Sequence, residues 1–275
     1  MNKKVIIITG ASSGMGKDGA LRLIKEGHIV YAGARSVDQM SDLMQAGGRA
    51  VALDVTDQSS IKTVVDTVIR EQGRIDVLWN NAGYSVMGAV EDVSDADARR
   101  QFDVNLFGVA EMTKAVLPQM RAQKSGLIIN TTSVGGKIFT AIGAWYHASK
   151  HALEGWSDCL RLEVEQFGIN VVVLEPGGVK TAFGSTAKEP LLARAKGGAY
   201  EGLTRRVADT FERMYAPSNT TMSPPSVISD TVVKIINSKR PRTRYAAGYM
   251  ANMTLFLRWL LSDRLFERVI MGQYK

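Results

Sequence analysis

VIIITGASSGMG, residues 5–16, is a β-branched run that ends among three glycines, and its reading decides the fold. The apolar half reads as a first strand covered on both faces. Gly10, Gly14 and Gly16 lack Cβ atoms, so the chain can turn tightly there and a diphosphate can approach the amino end of the following helix. Ser12, Ser13 and Met15 belong to the same turn. Its spacing departs from G-x-G-x-x-G, but the strand before it and the helix after it supply the right context. The same letters also satisfy G-x-S-x-G, the elbow that would make Ser12 a nucleophile. That chemistry needs an acid and then a histidine later in the chain. His28, His147 and His151 are the only histidines, so none lies near the carboxyl end.

Outward from this turn, strand-like runs alternate with helical periods. VIIIT (5–9), HIVYAG (28–33), AVALD (50–54), IDVLWN (75–80), GLIINTTS (126–133) and INVVVLEP (169–176) read as strands. Amphipathic stretches at 57–72, 105–123 and 145–167 lie between them, the last stopped by Gly168. Beyond Gly178 the pattern loosens, and 183–224 reads as a mobile lobe rich in Gly, Ala, Met and Thr. A helix near 225–238 and a strand near 243–248 then close the sheet. The expectation is α/β: a single doubly wound Rossmann-type domain over 1–275, with a mostly parallel sheet of about seven strands and helices on both faces.

Composition narrows the function classes. Of 275 residues, 45% are hydrophobic and 22% charged, ordinary for a soluble globular chain. Cys159 is the single cysteine, which excludes an intrachain disulfide and a thiolate zinc site and fits a cytoplasmic location; no metal is expected. The amino-terminal apolar run is too short for a signal peptide, and MANMTLFLRWLL carries Arg258, so no membrane span is expected. A net charge of +7 is scattered, with KRPRTR (239–244) the one cluster, and no nucleic-acid partner is expected.

The second strand ends YAGARS, where dinucleotide folds place an acid that grips the adenosine ribose. Here the position offers Ala34 and Arg35. A guanidinium binds a 2′-phosphate that a carboxylate would repel, which favours NADP(H), with NAD(H) as the alternative.

Thr9–Gly16, NNAG (80–83), Asn105, Ser133, YHASK (146–150) and PGGVKT (176–181) occur in order, each on a fitting element. With these motifs, over residues 5–181, the chain resembles the short-chain dehydrogenase/reductase family. Within it, YHASKHALEGWSDCLRLEV is similar to the active-site helix of the 17β-hydroxysteroid and retinol dehydrogenase branch. The resemblance implies an NADP-preferring oxidoreductase acting on a CH–OH group. Tyr146 would be the general acid/base. Lys150 would lower its pKa and hold the nicotinamide ribose, Ser133 would hold the substrate oxygen, and Asn105 would anchor a water relaying protons through Lys150. A tyrosine near pKa 10 is about three units too weak an acid to act as a base at neutral pH, or about 4 kcal/mol. An ammonium about 4 Å away supplies roughly that much where water is excluded.

Further cofactor contacts are expected from Asn81, Ala82 and Gly83 after the fourth strand, and from Pro176, Gly177, Val179 and Thr181 around the carboxamide. Asp54, beside Val55, would accept the adenine amino group or cap the helix that begins near Asp57. His147 and His151 are expected to face solvent or a partner subunit.

GYSVMGAV (83–90), IFTAIGAWY (138–146) and Phe183, Leu191, Leu192, Phe211, Met214 and Tyr215 suit a hydrophobic ketone, aldehyde or secondary alcohol, unless they are simply the lobe's own core. The amphipathic tail, 250–275, either packs over the pocket or a subunit interface, or lies on a lipid surface. The resemblance also implies a homodimer or homotetramer. Two alternatives stand beside the main reading: a reductase of carrier-bound β-ketoacyl groups, and a non-catalytic NADP-sensing protein.

Overall fold

In a computed structural model, residues 3–181, 188–216 and 218–274 are described. Seven strands form one wholly parallel sheet: β1 Val5–Thr9, β2 Ile29–Ala34, β3 Arg49–Ala52, β4 Val77–Asn80, β5 Gly126–Thr131, β6 Ile169–Pro176 and β7 Arg244–Ala247. Their spatial order is β3-β2-β1-β4-β5-β6-β7. The winding reverses between β1 and β4, which opens a crevice at the carboxyl ends of those strands.

The helices are α1 Gly14–Lys25, α2 Ser41–Gln45, α3 Gln58–Gln72, α4 Asp95–Phe102, α5 Gly108–Gln123 and α6 Ala144–Val164. They continue as α7 Lys188–Ala195, α8 Glu201–Tyr215, α9 Ser226–Asn237, α10 Ala251–Leu260 and α11 Asp263–Gly272. The continuous apolar runs are explained by burial on both sides. Ile6 and Ile8 pack with Leu23, Trp79, Ile228 and Val232 on one face, while Ile7 packs with Val64, Leu78, Met112 and Ile128 on the other. A third cluster joins Met87, Ile138 and Ile142 to Leu191, Val207, Phe266 and Ile270, capping the carboxyl ends of the sheet.

The segment expected to be loose carries two helices, α7 and α8, among its described residues, with turns and irregular chain at 196–200 and 218–224. In α8, Thr204, Val207, Ala208 and Thr210 are buried, a helical spacing that the flanking glycines obscure in sequence. Phe183 lies outside the described residues. The stretch expected as a helix from 105 instead opens with a π-turn, Asp103–Phe107, before α5. Such wide turns collect at functional sites. Among the described residues no helix is long and apolar enough to cross a membrane.

Candidate active site

The glycine turn is fastened to the turn after β4. Gly10 has φ +68°, and a Cβ there would stand 2.7 Å from Ala82 Cα. Thr9 Oγ1 accepts from the Asn81 and Ala82 amides at 3.0 and 2.9 Å, and Asn81 Nδ2 donates to the Thr9 and Gly10 carbonyls at 3.2 and 3.1 Å. Gly16 sits behind this wall, where a Cβ would fall 2.4 Å from the Gly10 carbonyl oxygen. Its work is close packing. Ser13 holds the N-cap position of α1 but makes no side-chain cap bond, so its hydroxyl leaves the first-turn amides unbonded.

A cleft of about 650 Å³ opens over this turn, lined by Gly10, Ser12, Ser13, Gly14, Met15, Ala82 and Gly83, among others. At its far end stand exposed Arg35 after β2, and Asp54 and Val55 after β3. Asp54 is not the helix cap; Asp57 is, accepting from the Ser59 amide at 2.8 Å. Asp54 accepts from the Thr56 amide at 2.9 Å and its hydroxyl at 2.7 Å. The Thr56 bond leads in holding its carboxyl below the usual range, with Arg35 and Arg100 adding attraction. Arg100 on α4 and Arg194 on α7 also line this cleft, and neither carries a motif that would reveal it in sequence. Arg194 donates to the Met87 carbonyl at 3.2 Å and so ties the lobe to the cleft rim.

The cleft suits a dinucleotide. Glycines clear its floor, the α1 amino end faces it, and a cation waits at the adenosine end. Asn81 Oδ1 and the Tyr84 hydroxyl, both on its lining residues, find no protein partner among the described residues. No cluster of three His, Cys, Asp or Glu residues is placed for a metal among the described residues.

A second chamber of about 270 Å³ adjoins the cleft and shares Met15, Asn81, Gly83, Met87 and Thr181 with it. Ser133, Tyr146 and Lys150 meet on its wall, with Pro176, Gly177 and Val179 below and Phe211 and Tyr215 from α8 above. Gly177 is needed there, since a Cβ would lie 2.5 Å from the Tyr249 carbonyl oxygen. Leu191 and Leu192 pack instead within the third core cluster, so that part of the expected lining is the lobe's own core. Met214 is half-buried away from the chamber.

Ser133 Oγ accepts from the Gly135 amide at 3.0 Å and bonds the Tyr146 hydroxyl. Lys150, 5% exposed, donates to the Thr131 carbonyl at 3.0 Å. Asn105, on the π-turn, is fully buried. It donates to Tyr84 O at 2.9 Å and Ser149 Oγ at 3.1 Å and accepts from the Tyr84 amide at 3.1 Å. It braces the 83–85 loop, and a Cβ on Gly83 would come 3.2 Å from Asn105 Oδ1 and 3.5 Å from Lys150 Nζ.

Both ionisable groups are driven toward neutrality. Burial pushes the Tyr146 phenol up to about 12, the Ser133 hydrogen bond pulls it back, and Tyr215 adds to the rise. Burial likewise brings the Lys150 ammonium down to about 8, against the attraction of Glu154. The Ser133 hydrogen bond is the influence that draws the phenol down, and the Lys150 ammonium lies on the same chamber wall.

His147 departs from expectation. It is buried, with Nδ1 2.8 Å from the Gly135 carbonyl and Nε2 2.9 Å from Thr140 Oγ1. A carbonyl can only accept, so Nδ1 carries the proton and Nε2 accepts from Thr140. Burial lowers its pKa, and the neutral ring staples the 135–140 turn to α6. His151 is exposed, as expected.

The short chain dehydrogenase family model matches residues 4–191. A 3-ketodihydrosphingosine reductase from Bacteroides thetaiotaomicron is 43% identical over 183 residues, 66% of this chain and 66% of that one. A short-chain dehydrogenase from Streptomyces avermitilis is 32% identical with a TM-score of 0.79, covering 98% of this chain and 99% of that one. An alcohol dehydrogenase from the archaeon Thermococcus sibiricus, solved with 5-hydroxy-NADP, is 25% identical with a TM-score of 0.73, covering 91% and 98%.

Proposed function

The chain belongs to the short-chain dehydrogenase/reductase family and is an oxidoreductase, and from that premise we propose that it interconverts a hydrophobic ketone or aldehyde and its alcohol with NADP(H). The observation that carries the proposal is the junction of the two cavities. A nucleotide-sized cleft ending at Arg35 opens into an apolar chamber whose wall holds Ser133, Tyr146 and Lys150.

When bound, the nicotinamide supplies or takes the hydride. The protein does the rest. Ser133 Oγ orients the substrate oxygen, and the protonated Tyr146 phenol gives its proton to that oxygen in reduction and takes it back in oxidation. Lys150 and Thr131 hold the far side of the site, and Phe211, Tyr215 and Met87 exclude water. Pro176, Gly177, Val179 and Thr181 form the cradle for the carboxamide, while Arg35 takes the 2′-phosphate. The relative from Bacteroides thetaiotaomicron supports a long-chain ketone as the substrate class.

A panel of carbonyls and alcohols followed by NADPH and NADH absorbance tests this. Arg35→Asp should raise the KM for NADPH about 10- to 100-fold and leave NADH little changed, the weight of a charge-assisted phosphate contact. Equal effects on both nucleotides would remove the arginine argument, and turnover confined to small polar hydroxy acids would overturn the substrate class. Tyr146→Phe should abolish turnover while NADPH still binds, whereas unchanged biological activity would favour nucleotide sensing.

The reading extends to a peripheral contact with anionic lipid. Met253, Phe256, Trp259 and Leu260 are exposed on one side of α10, with Trp259 80% exposed, and exposed Arg264 and Arg268 follow on α11. Aromatic side chains beside cations suit a lipid interface. The homo-oligomer implied by the family is retained as part of this proposal.

A further inference from the structure

Glu154 lies one turn beyond Lys150 on α6, 3% exposed, in a place no mechanism above uses. It gathers groups from three elements. Its Oε1 accepts from Thr132 Oγ1 at 2.6 Å, at the end of β5 and next to Ser133. Its Oε2 accepts from Arg244 Nε and Nη2 on β7 at 3.2 and 3.0 Å, and pairs with Lys137 Nζ at 3.0 Å. The turn carrying Ser133 is seated on it: a Cβ on Gly136 would meet Glu154 Cγ at 2.9 Å and the Lys150 carbonyl at 3.1 Å. Through Arg244, 3.9 Å from Glu175 Oε1, the cluster reaches the residue before Pro176 on β6.

We propose that Glu154 is a positioning residue for the reaction: its carboxylate clamps Thr132, Lys137 and Arg244, fixing the Ser133 turn, and sets a buried negative charge one turn from Lys150. The proposal rests on the catalytic reading of Ser133, Tyr146 and Lys150 given above. The burial of both groups makes the charge matter. A carboxylate one turn away in water contributes a few tenths of a kcal/mol, but desolvated charges act on each other through a low dielectric. Attraction from Glu154 is the force that opposes the desolvation of Lys150. The remaining charged groups of the cluster are Lys137 from the 134–137 turn, Arg244 from β7, Glu175 from β6, and Asp158 with Arg161 further along α6. Tyr146 and Tyr215 close the chamber side, and the neutral His147 turns away to Gly135. Because Lys137 and Arg244 share the Glu154 charge, removing a cation should release that charge toward Lys150, and removing Glu154 should do the opposite.

The experiment uses the full chain labelled with [13Cε]lysine, with the Lys150 signal assigned from Lys150→Arg and its titration followed by NMR. Glu154→Gln keeps the volume and should move the Lys150 midpoint down by about half a pH unit or more. Lys137→Met, at a partly exposed position, should move it up. Glu154→Gln should also lower kcat about 10- to 100-fold with KM changed less than about threefold, the effect of a displaced catalytic turn. A Lys150 midpoint unmoved in folded Glu154→Gln overturns the proposal. Should that variant not fold, an unmoved midpoint in Lys137→Met overturns it instead. Neither midpoint depends on turnover, so failure here is separable from failure of the catalytic assignment, which Tyr146→Phe tests.

Discussion

Burial brings the Lys150 ammonium from the usual 10.5 to about 8. The folded state therefore binds its proton less readily than the unfolded chain does. Linkage makes this a penalty that is full below pH 8, fades as pH rises, and is gone above 10.5. The drop from 10.5 to 8 corresponds to about 3 kcal/mol at neutral pH. Lys150→Met should therefore raise stability at pH 7 by about 1–3 kcal/mol, less whatever the lost Thr131 bond returns, while abolishing turnover. Urea titrations at pH 7 and pH 10 check it, since the gain should shrink at the higher pH. That Tyr146 and Lys150 face the same chamber was legible in sequence because their spacing is local, one turn of one helix. Their acidities were not. Those depend on burial, on Ser133 and Tyr215, which the fold alone brings beside the phenol, and on Glu154 one turn further along α6.

At the scale of elements, the two tail helices divide their faces. On α11 and just past its end, Phe266, Ile270 and Tyr274 recur every four residues and are buried with Met87, Ile138 and Val207, Phe266 being 1% exposed. The Arg258 guanidinium spans the rings of Phe139 and Phe266 at 5.6 and 5.5 Å. Truncating the tail would thus open the third core cluster, so point changes separate its two roles. Phe266→Ala should cost about 3–5 kcal/mol in a urea titration. Phe256→Ser with Trp259→Ser should leave stability within about 1 kcal/mol, because those rings bury little, yet reduce co-sedimentation with anionic vesicles. The strands were read almost in place because a strand covered on both faces is apolar throughout. The lobe helices α7 and α8 were missed because glycines and prolines flank them, and their buried stripe includes Thr204 and Thr210. The π-turn at Asn105 has no signature in side-chain periodicity at all.

Across the whole molecule, the doubly wound parallel sheet and its nucleotide cleft followed from motifs spaced along the chain, but the charge cluster beneath the site did not. Arg244 meets Glu154 from 90 positions away and meets Asp158 at 2.6 Å, contacts that no local pattern encodes. Glu175 is the member of that cluster with a global consequence. Burial leads in raising its carboxyl to about 7, and the neighbouring Glu154 adds to the rise. The folded state holds this proton where the unfolded chain has lost it. Its contribution is therefore complete below the usual 4.5 and disappears as pH rises through 7. Above that, a charged Glu175 shares its buried surroundings with Glu154, with Arg244 and Lys137 opposing the repulsion. Glu175→Gln keeps the shape without the charge. Its stability relative to the natural chain should improve by about 2–3 kcal/mol between pH 4.5 and pH 8, as read from urea midpoints. A difference that stays constant over that range would mean that Glu175 is already ionised in the folded protein at the acid end, with Arg244 outweighing both burial and Glu154.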